Sequence, residues 1–211
     1  MIAALPNDYL FKILEHLSLS MSAIGLGILV ALPIGIAISA NKRLTQIVIS
    51  ISSVLQTIPS MALLAMIVPI LGVGKLPATV ALFIYSLLPI LRNTVLGMQS
   101  VDENLVDAAK GMGLTRVQVI FKVKVPMAFT VIMSGIRLSS IYVLAWTSLA
   151  SYIGAGGLGD YIFAGMNNYN ISLIIYGTIP IVVLGLITDF ILSTTEKILT
   201  PKTSSKRGLN S

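Results

Sequence analysis

Three glycines have a spacing that could hold a phosphate group. Gly154, Gly156 and Gly159 form a G-x-G-x-x-G pattern within SYIGAGGLGDYIF. Such a pattern binds a dinucleotide pyrophosphate when it follows a short strand, opens a helix and precedes an acidic residue by about 20 positions. Here it follows a long apolar run, residues 127–150, and no acidic residue lies near position 180. A membrane enzyme that binds NAD is therefore the weakest hypothesis for this stretch.

A second glycine-rich stretch, GVGKL at residues 72–76, has part of the pattern of an ATP-binding loop. A P-loop requires glycine where this chain has Pro69, and serine or threonine where it has Leu76. The chain has no cysteine and one histidine, His16, which excludes thiolate catalysis and Cys-ligated metal sites. We expect a chain that is not an enzyme, has no ATP site of its own and binds no cofactor or metal.

The composition of the chain indicates the class of protein to which it belongs. Of 211 residues, 55% are hydrophobic and only 10% are charged, and the mean hydropathy is +0.93. A soluble domain usually carries about 25% charged residues. The chain therefore has the composition of an integral membrane protein.

Five apolar runs are long enough to cross a hydrocarbon core, which takes about 20 helical residues. They predict an all-α, polytopic fold with five transmembrane helices, a membrane domain at residues 19–200 and two connecting loops of interest. The predicted spans are residues 19–40, 45–71, 78–98, 127–150 and 171–194, and the loops are residues 99–126 and 151–170.

Lysine and arginine are distributed unevenly between the two ends of these spans. Ten fall on the side of the loop at residues 99–126, and two, Lys12 and Lys75, fall on the other side. Because these residues accumulate in cytoplasmic segments, we expect the amino terminus outside and the carboxyl terminus in the cytoplasm. An amphipathic segment, residues 1–18, then lies outside as a short surface helix, and residues 201–211 form a cytoplasmic tail. This topology explains the net charge of +6, so no nucleic-acid partner is expected.

Three spans carry proline next to polar side chains: the second at Pro59, the third at Pro89 and the fifth at Pro180. Proline removes a helical hydrogen bond, and such positions are tolerated in a membrane only against protein or a water-lined cavity. Two interpretations stay open, a kinked helix that satisfies its own backbone or a helix lining a translocation path. The polar candidates for such a path are Gln56, Thr57, Ser60, Tyr85 and Ser86.

Charged and small residues within the spans predict how the helices pack. Arg92, Arg137 and Asp189 lie inside predicted spans, where charges normally pair or face a cavity. Arg92 and Asp189 have similar depth, so we expect them to form an ion pair, and Arg137 either borders the path or bonds backbone carbonyls. The first span has a small residue at every fourth position, which predicts close approach of another helix; these are Ala23, Gly27, Ala31, Gly35 and Ser39.

The loop at residues 99–126 predicts two short helices joined at Gly113. Ser100 with Glu103, and Thr115 with Gln118, have capping-box spacing, and Gly113 lies where a left-handed residue ends a helix. A compact helix–glycine–helix unit is typical of a docking element. The alternative is an amphipathic loop resting on the membrane.

The residues of this loop resemble the EAA motif of ABC importer permeases. Asp107-Ala108-Ala109, three residues, Gly113, nine residues and Val123-Lys124-Val125-Pro126 match a motif that runs Glu-Ala-Ala, three residues, Gly, nine residues, Ile-x-Leu-Pro. Over nearly the whole chain, QTIPSMALLAMIVPILGVGKLPA, YSLLPILRNT, GMGLTRVQ, SGIR and IGAGGLGDYIF are similar to the osmoprotectant (Opu-type) permeases, which serve uptake of glycine betaine, carnitine or choline.

This resemblance implies a type I ABC importer permease (MetI-like) fold in a bacterial cytoplasmic membrane. It implies two copies of a cytoplasmic ABC ATPase that bind ATP and Mg²⁺, a second permease subunit, identical or homologous, and an external substrate-binding protein. The ATPase-coupling residues carried over are Asp107, Ala108, Ala109, Gly113 and Pro126. The substitution of Asp107 for Glu shortens one contact.

The resemblance also adds candidates to the path and to its outer mouth. Quaternary ammonium groups suit aromatic faces, so Tyr142 and Trp146 join Tyr85 as path candidates. The external loop with Gly154, Gly156, Gly157 and Gly159 is expected to be a sharp turn, either part of an outer gate or binding-protein surface, or purely structural. Two alternatives remain for the function: an ABC permease for another small solute such as methionine, or a channel or ion-coupled carrier.

Overall fold

The computed structural model describes residues 6–200, and the predicted tail at 201–211 lies outside them. The described chain is helical, with no strand. Its long helices are α1 (Tyr9–Ile38), α2 (Lys42–Thr57), α3 (Ser60–Leu71), α4 (Lys75–Gln99), α7 (Val125–Ala150) and α9 (Ile171–Leu199), and its short ones are α5 (Glu103–Gly111), α6 (Arg116–Val119) and α8 (Gly159–Asn167). A π-helical turn, Ile120–Lys124, joins α6 to α7, and a 3₁₀ turn, Ser151–Ile153, follows α7.

Four helical stretches are long and apolar enough to span a membrane, and α2 with α3 makes a fifth as a bent pair. The all-α fold is therefore confirmed, with four candidate spans in the described residues, or five when the bent pair is counted as one broken span. The two halves of that span meet at 93°. Pro59 disfavours helical geometry in the residue before it, and Ile58 is accordingly extended, with φ −68° and ψ 123°. This is a sharper break than the predicted kink.

Two predicted boundaries differ from the structure because helices continue past them. Tyr9 to Ile38 is one helix, so the part of the predicted surface segment from Tyr9 onward extends the first span and is not a separate helix. At the fourth span, helical structure continues back from Val125 to Arg116. The second helix of the loop at 99–126 is thus the direct extension of a membrane helix.

The centre of the structure is formed by α1, α4 and α7, with α2 and α3 against α4 and α9 against α7 and α8. The small residues predicted to allow close approach do so: Ala23 and Ala31 are fully buried. A side chain at Gly27 would collide with Ser86, and one at Gly35 would lie 2.8 Å from Thr94. The stripe on α1 therefore packs directly against α4.

Candidate coupling loop and translocation path

The predicted coupling loop is an ordered unit with its own caps. Thr115 and Gln118 form the predicted capping box: Gln118 Oε1 accepts from the Thr115 N–H at 2.9 Å, and Thr115 Oγ1 accepts from the Gln118 N–H at 3.4 Å. Gly113 has φ +84° and its N–H donates to the Lys110 carbonyl at 2.9 Å. The predicted turn at Gly113 is confirmed.

The predicted cap of the first helix in this loop was wrong. Ser100 ends α4, where its hydroxyl donates to the Gly97 carbonyl at 2.9 Å. Asp102 caps α5 instead, accepting from the Asn104 N–H at 3.0 Å. Because α4 continues to Gln99, Ser100 lies two residues too far from the start of α5 to cap it. The cap is therefore Asp102, the residue immediately before α5.

The predicted coupling residues divide between the inner and outer faces of the loop. Ala109 is buried, 2% exposed, in the main core cluster, whereas Asp107, Ala108 and Gly113 are exposed. Asp107 pairs with Lys110 at 2.8 Å. Pro126 is half-buried in the first turn of α7. Ala109 thus attaches the loop to the spans while its neighbours face outward.

An apolar patch on the outer face of this loop consists of Met112, Val117 and Phe121, which are 75%, 63% and 61% exposed. Val117 and Phe121 lie one helical turn apart, while Ile120 between them packs against the core. Met112 was missed, although its position directly before Gly113 signals exposure at the helix end. Several exposed large apolar side chains in one short loop are typical of a binding surface.

Four of the predicted path residues lie together at the break between α2 and α3. The Tyr85 hydroxyl donates to the Ile58 carbonyl at 2.6 Å, and the Gln56 amide donates to the Tyr85 carbonyl at 2.8 Å. The Tyr85 ring lies 4.6 Å from Trp146, and Trp146 lies 5.5 Å from Tyr142, between ring centroids. Residues from α2, α4 and α7 therefore form one polar and aromatic cluster at the broken span.

Three other path candidates lie apart from this cluster's contacts. Ser86 is fully buried and donates to the Phe83 carbonyl at 2.7 Å, so it serves the packing of α4 against α1. Thr57 is exposed and donates to the Val54 carbonyl at 2.7 Å, and Ser60 is the half-buried first residue of α3. Ser86 stays a predicted path residue, and its side chain lies where α4 packs against α1, beside Gly27.

The intramembrane ion pair is formed by a different arginine from the one predicted. Arg137 Nη2 lies 2.7 Å from Asp189 Oδ1, and its Nη1 lies 3.3 Å from Glu196 Oε2. Arg92 is exposed on α4. The predicted Arg92–Asp189 pair was wrong because depth fixes the height of a residue but not its direction, and α9 packs against α7.

The glycine-rich loop is folded onto α1 by a set of charges that the sequence analysis missed. Gly154, Gly156 and Gly157 have φ between +75° and +88°, and the Gly157 N–H donates to Glu15 Oε2 at 2.8 Å. Glu15, 8% exposed, also pairs with Lys75 at 2.8 Å and Lys12 at 3.4 Å. Lys12 in turn pairs with Asp160. The four charged residues share one predicted side of the membrane, which is the signal that could have linked them.

The rest of this loop is more structured than a sharp turn. Gly159 begins α8, where a side chain would collide with the Ser148 carbonyl. Tyr161 of α8 donates to Asp8 at 2.6 Å, and burial followed by this hydrogen bond raises the pKa of Tyr161. The expected turn therefore contains a helix, which packs against α9 and α7.

The sequence comparison gives the family to which this arrangement belongs. Residues 23–205 match the binding-protein-dependent transport system inner membrane components. The chain belongs to this permease family. It is therefore a multi-pass protein of the cytoplasmic membrane, and a substrate-binding protein and an ATPase are its partners in an ABC importer.

Two permeases are similar to this chain over most of its length. It is 53% identical to the carnitine transport permease protein OpuCB of Listeria monocytogenes, over 93% of this chain and 90% of the relative. It is 49% identical to the glycine betaine/carnitine/choline transport system permease protein OpuCB of Bacillus subtilis, with the same coverage.

A solved structure matches the fold of the permease. The inward-facing MetNI methionine ABC transporter superposes with a TM-score of 0.83, covering 93% of this chain and all of the matched chain, at 22% identity. At that identity the match shows the MetI-like fold alone.

Proposed function

We propose that this permease carries a quaternary ammonium osmoprotectant (glycine betaine, carnitine or choline) into the cell, driven by ATP hydrolysis on separate ATPase subunits. The observation that carries the proposal is the 47–53% identity to three permeases named for these solutes. The same solutes recur in the names of relatives at 36–37% identity. The methionine alternative has only the fold match for support.

The outer face of the loop at residues 99–126 is the proposed docking site for the ATPase. Asp107, Ala108 and Gly113 are exposed there beside the apolar patch of Met112, Val117 and Phe121. The loop is attached at one end through buried Ala109 and Val106 and is continuous at the other with α7. A movement of this loop is therefore transmitted directly to α7, because helical structure connects the two. Two ATPase copies, which bind ATP and Mg²⁺, are proposed to dock on two such loops.

The polar and aromatic cluster at the broken span is the proposed lining of the path. Non-helical backbone within a membrane is tolerated where it is buried in protein or faces a water-filled cavity. Trp146 is half-buried and Tyr142 is 42% exposed, so their ring faces are available to a passing cation. One chain presents a single wall of aromatic rings, and we propose that a second permease, identical or homologous, supplies the opposite wall.

The proposed orientation places the glycine-rich loop outside and the coupling loop in the cytoplasm, as the lysine and arginine distribution indicates. The loop with Gly154, Gly156, Gly157 and Gly159 then faces the substrate-binding protein at the outer mouth. The absence of an ATP site on this chain is also proposed. Lys75 of the GVGKL stretch supports it, because its ammonium group is already paired with Glu15 at 2.8 Å.

Uptake by cells that express the full importer tests the proposed substrate. Cells without other osmolyte transporters are supplied with labelled glycine betaine, carnitine, choline or methionine, and initial rates are compared with those of cells lacking this permease. We expect permease-dependent uptake of at least one quaternary ammonium solute and none of methionine. Permease-dependent uptake of methionine alone would contradict the proposal.

A further inference from the structure

A pocket of about 540 Å³ lies between the coupling loop and the ends of the membrane helices next to it. It is lined by Ser39 and Ala40, which follow α1, by the end of α4, by α5, and by the segment from α6 to α7. Its interior is apolar, with Met98, Val106 and Val119 all less than 9% exposed. The pocket thus joins the ends of three membrane helices to the loop.

The polar side chains around this pocket are basic. Lys110, Arg116 and Lys124 line it, and no acidic side chain does among the described residues. Asp107, which neutralises part of the charge of Lys110, does not line the pocket and is 72% exposed. A basic rim over an apolar interior is complementary to an amphiphilic anion.

We propose that this pocket binds an anionic phospholipid of the cytoplasmic leaflet. Basic pockets between membrane helices at the cytoplasmic side bind anionic headgroups, and the proposed orientation puts this pocket at that level. Arg116 and Lys124 hold the headgroup phosphate, while the apolar interior contacts the glycerol and upper acyl segments. A soluble phosphate would leave that interior without a partner, and for this reason the lipid is the favoured ligand.

Binding at this place links the lipid to the coupling loop. Lys110 and Arg116 belong to the loop, whereas Ala40 and Met98 belong to the ends of α1 and α4. A bound lipid bridges the two groups and holds the loop against the spans. Because the pocket is separate from the path, this inference is independent of which solute the permease carries.

The test uses the assembled importer in nanodiscs containing equal amounts of phosphatidylglycerol and phosphatidylcholine. The complex is extracted into detergent, and the retained phosphatidylglycerol is measured by native mass spectrometry. The variant Arg116→Gln/Lys124→Gln is compared with the control Arg43→Gln/Lys122→Gln, which removes the same charge from the same end of the molecule outside the pocket. Each basic residue contributes on the order of a fivefold gain in affinity for anionic lipid, so we expect retention roughly 25-fold weaker in the pocket variant and close to wild type in the control.

Equal losses in both variants, no loss in either, or displacement of the lipid by excess inorganic phosphate would overturn the proposal. A second measurement covers the case in which the pocket variant fails to assemble. Photoactivatable phosphatidylglycerol is cross-linked to the wild-type complex, and the labelled peptides are sequenced. Label concentrated on residues 114–124 and 98–110 supports the site, whereas label confined to other segments overturns it.

Discussion

The carboxylate of Glu15 accepts a hydrogen bond from the backbone N–H of Gly157, with 2.8 Å between Oε2 and the nitrogen. The glycine-rich loop therefore does bind an anion, but the anion belongs to α1 of the same chain. A side chain at Gly156 would collide with this carboxylate. The loop requires glycine for its positive φ angles and for the close approach of Glu15. These two requirements account for the glycine-rich sequence without a bound nucleotide.

Substitution of Glu15 by Gln is expected to loosen the glycine-rich loop. The amide keeps the size of the side chain but loses the charge that pairs with Lys75 and Lys12, and loss of a charged hydrogen bond of this kind costs about 1–3 kcal/mol. Hydrogen exchange of residues 151–158 in the assembled importer should accelerate. Glu103→Gln, at an exposed position, is the control; equal exchange in Glu15→Gln and wild type would contradict the assignment.

The Arg137–Asp189 pair predicts coupled stability effects. Arg137→Gln and Asp189→Asn should each lower the thermal stability of the importer. The first leaves Asp189 and Glu196 without their cation, and the second leaves Arg137 with Glu196 as its remaining partner. The double variant should lose less than the sum of the two, as expected for residues in direct contact. Arg92→Gln serves as the comparison and should have a smaller effect; a strictly additive Arg137/Asp189 cycle would show that the pair is not formed.

Gly113 is expected to be required for its backbone conformation. Its φ of +84° makes Gly113→Ala unfavourable by roughly 1–2 kcal/mol, although no atom lies within 4 Å of where the new side chain would be. Gly111→Ala is a close control, because Gly111 is helical and also has open space around it. Co-purification of the ATPase should fall in Gly113→Ala and be unchanged in Gly111→Ala. The reverse order would refute a role for the turn in docking.

Tyr85 is expected to stabilise the bend between α2 and α3. Tyr85→Phe keeps the ring against Trp146 but removes the donor to the Ile58 carbonyl, at a cost of about 1–3 kcal/mol for an unsatisfied group. We expect a lower uptake rate with normal assembly of the importer. Tyr142→Phe, whose hydroxyl lies on an exposed ring, should retain more activity, and a larger defect in Tyr142→Phe would argue against this role.

Much of the fold was predictable from the sequence because its signals are local. The length of the apolar runs predicted the spans, and the small residues of α1 predicted its close packing on another helix. Thr115, Gln118 and Gly113 predicted the second helix of the loop. Features that depend on rotation about a helix axis were missed. Arg137 and not Arg92 meets Asp189, because neither depth nor spacing fixes which neighbour a side chain faces.

In the candidate sites, too, local features were predictable from the sequence and long-range contacts were not. The coupling loop is contiguous in sequence, so its residues could be identified together. The contact of Glu15 with Gly157 joins residues 142 positions apart, and no local pattern connects them. Pro59 signalled an irregular helix, but the 93° bend and its support by Tyr85 required the tertiary structure.

Transport by the purified importer in proteoliposomes tests the central claim most directly. The permease, its ATPase and its binding protein are reconstituted with ATP enclosed on the ATPase side and labelled glycine betaine, carnitine or choline on the other. The account predicts accumulation that requires ATP, is competed by the other quaternary ammonium solutes but not by methionine, and is abolished by Gly113→Asp. Solute movement that continues without ATP, or that is unaffected by Gly113→Asp, would contradict it.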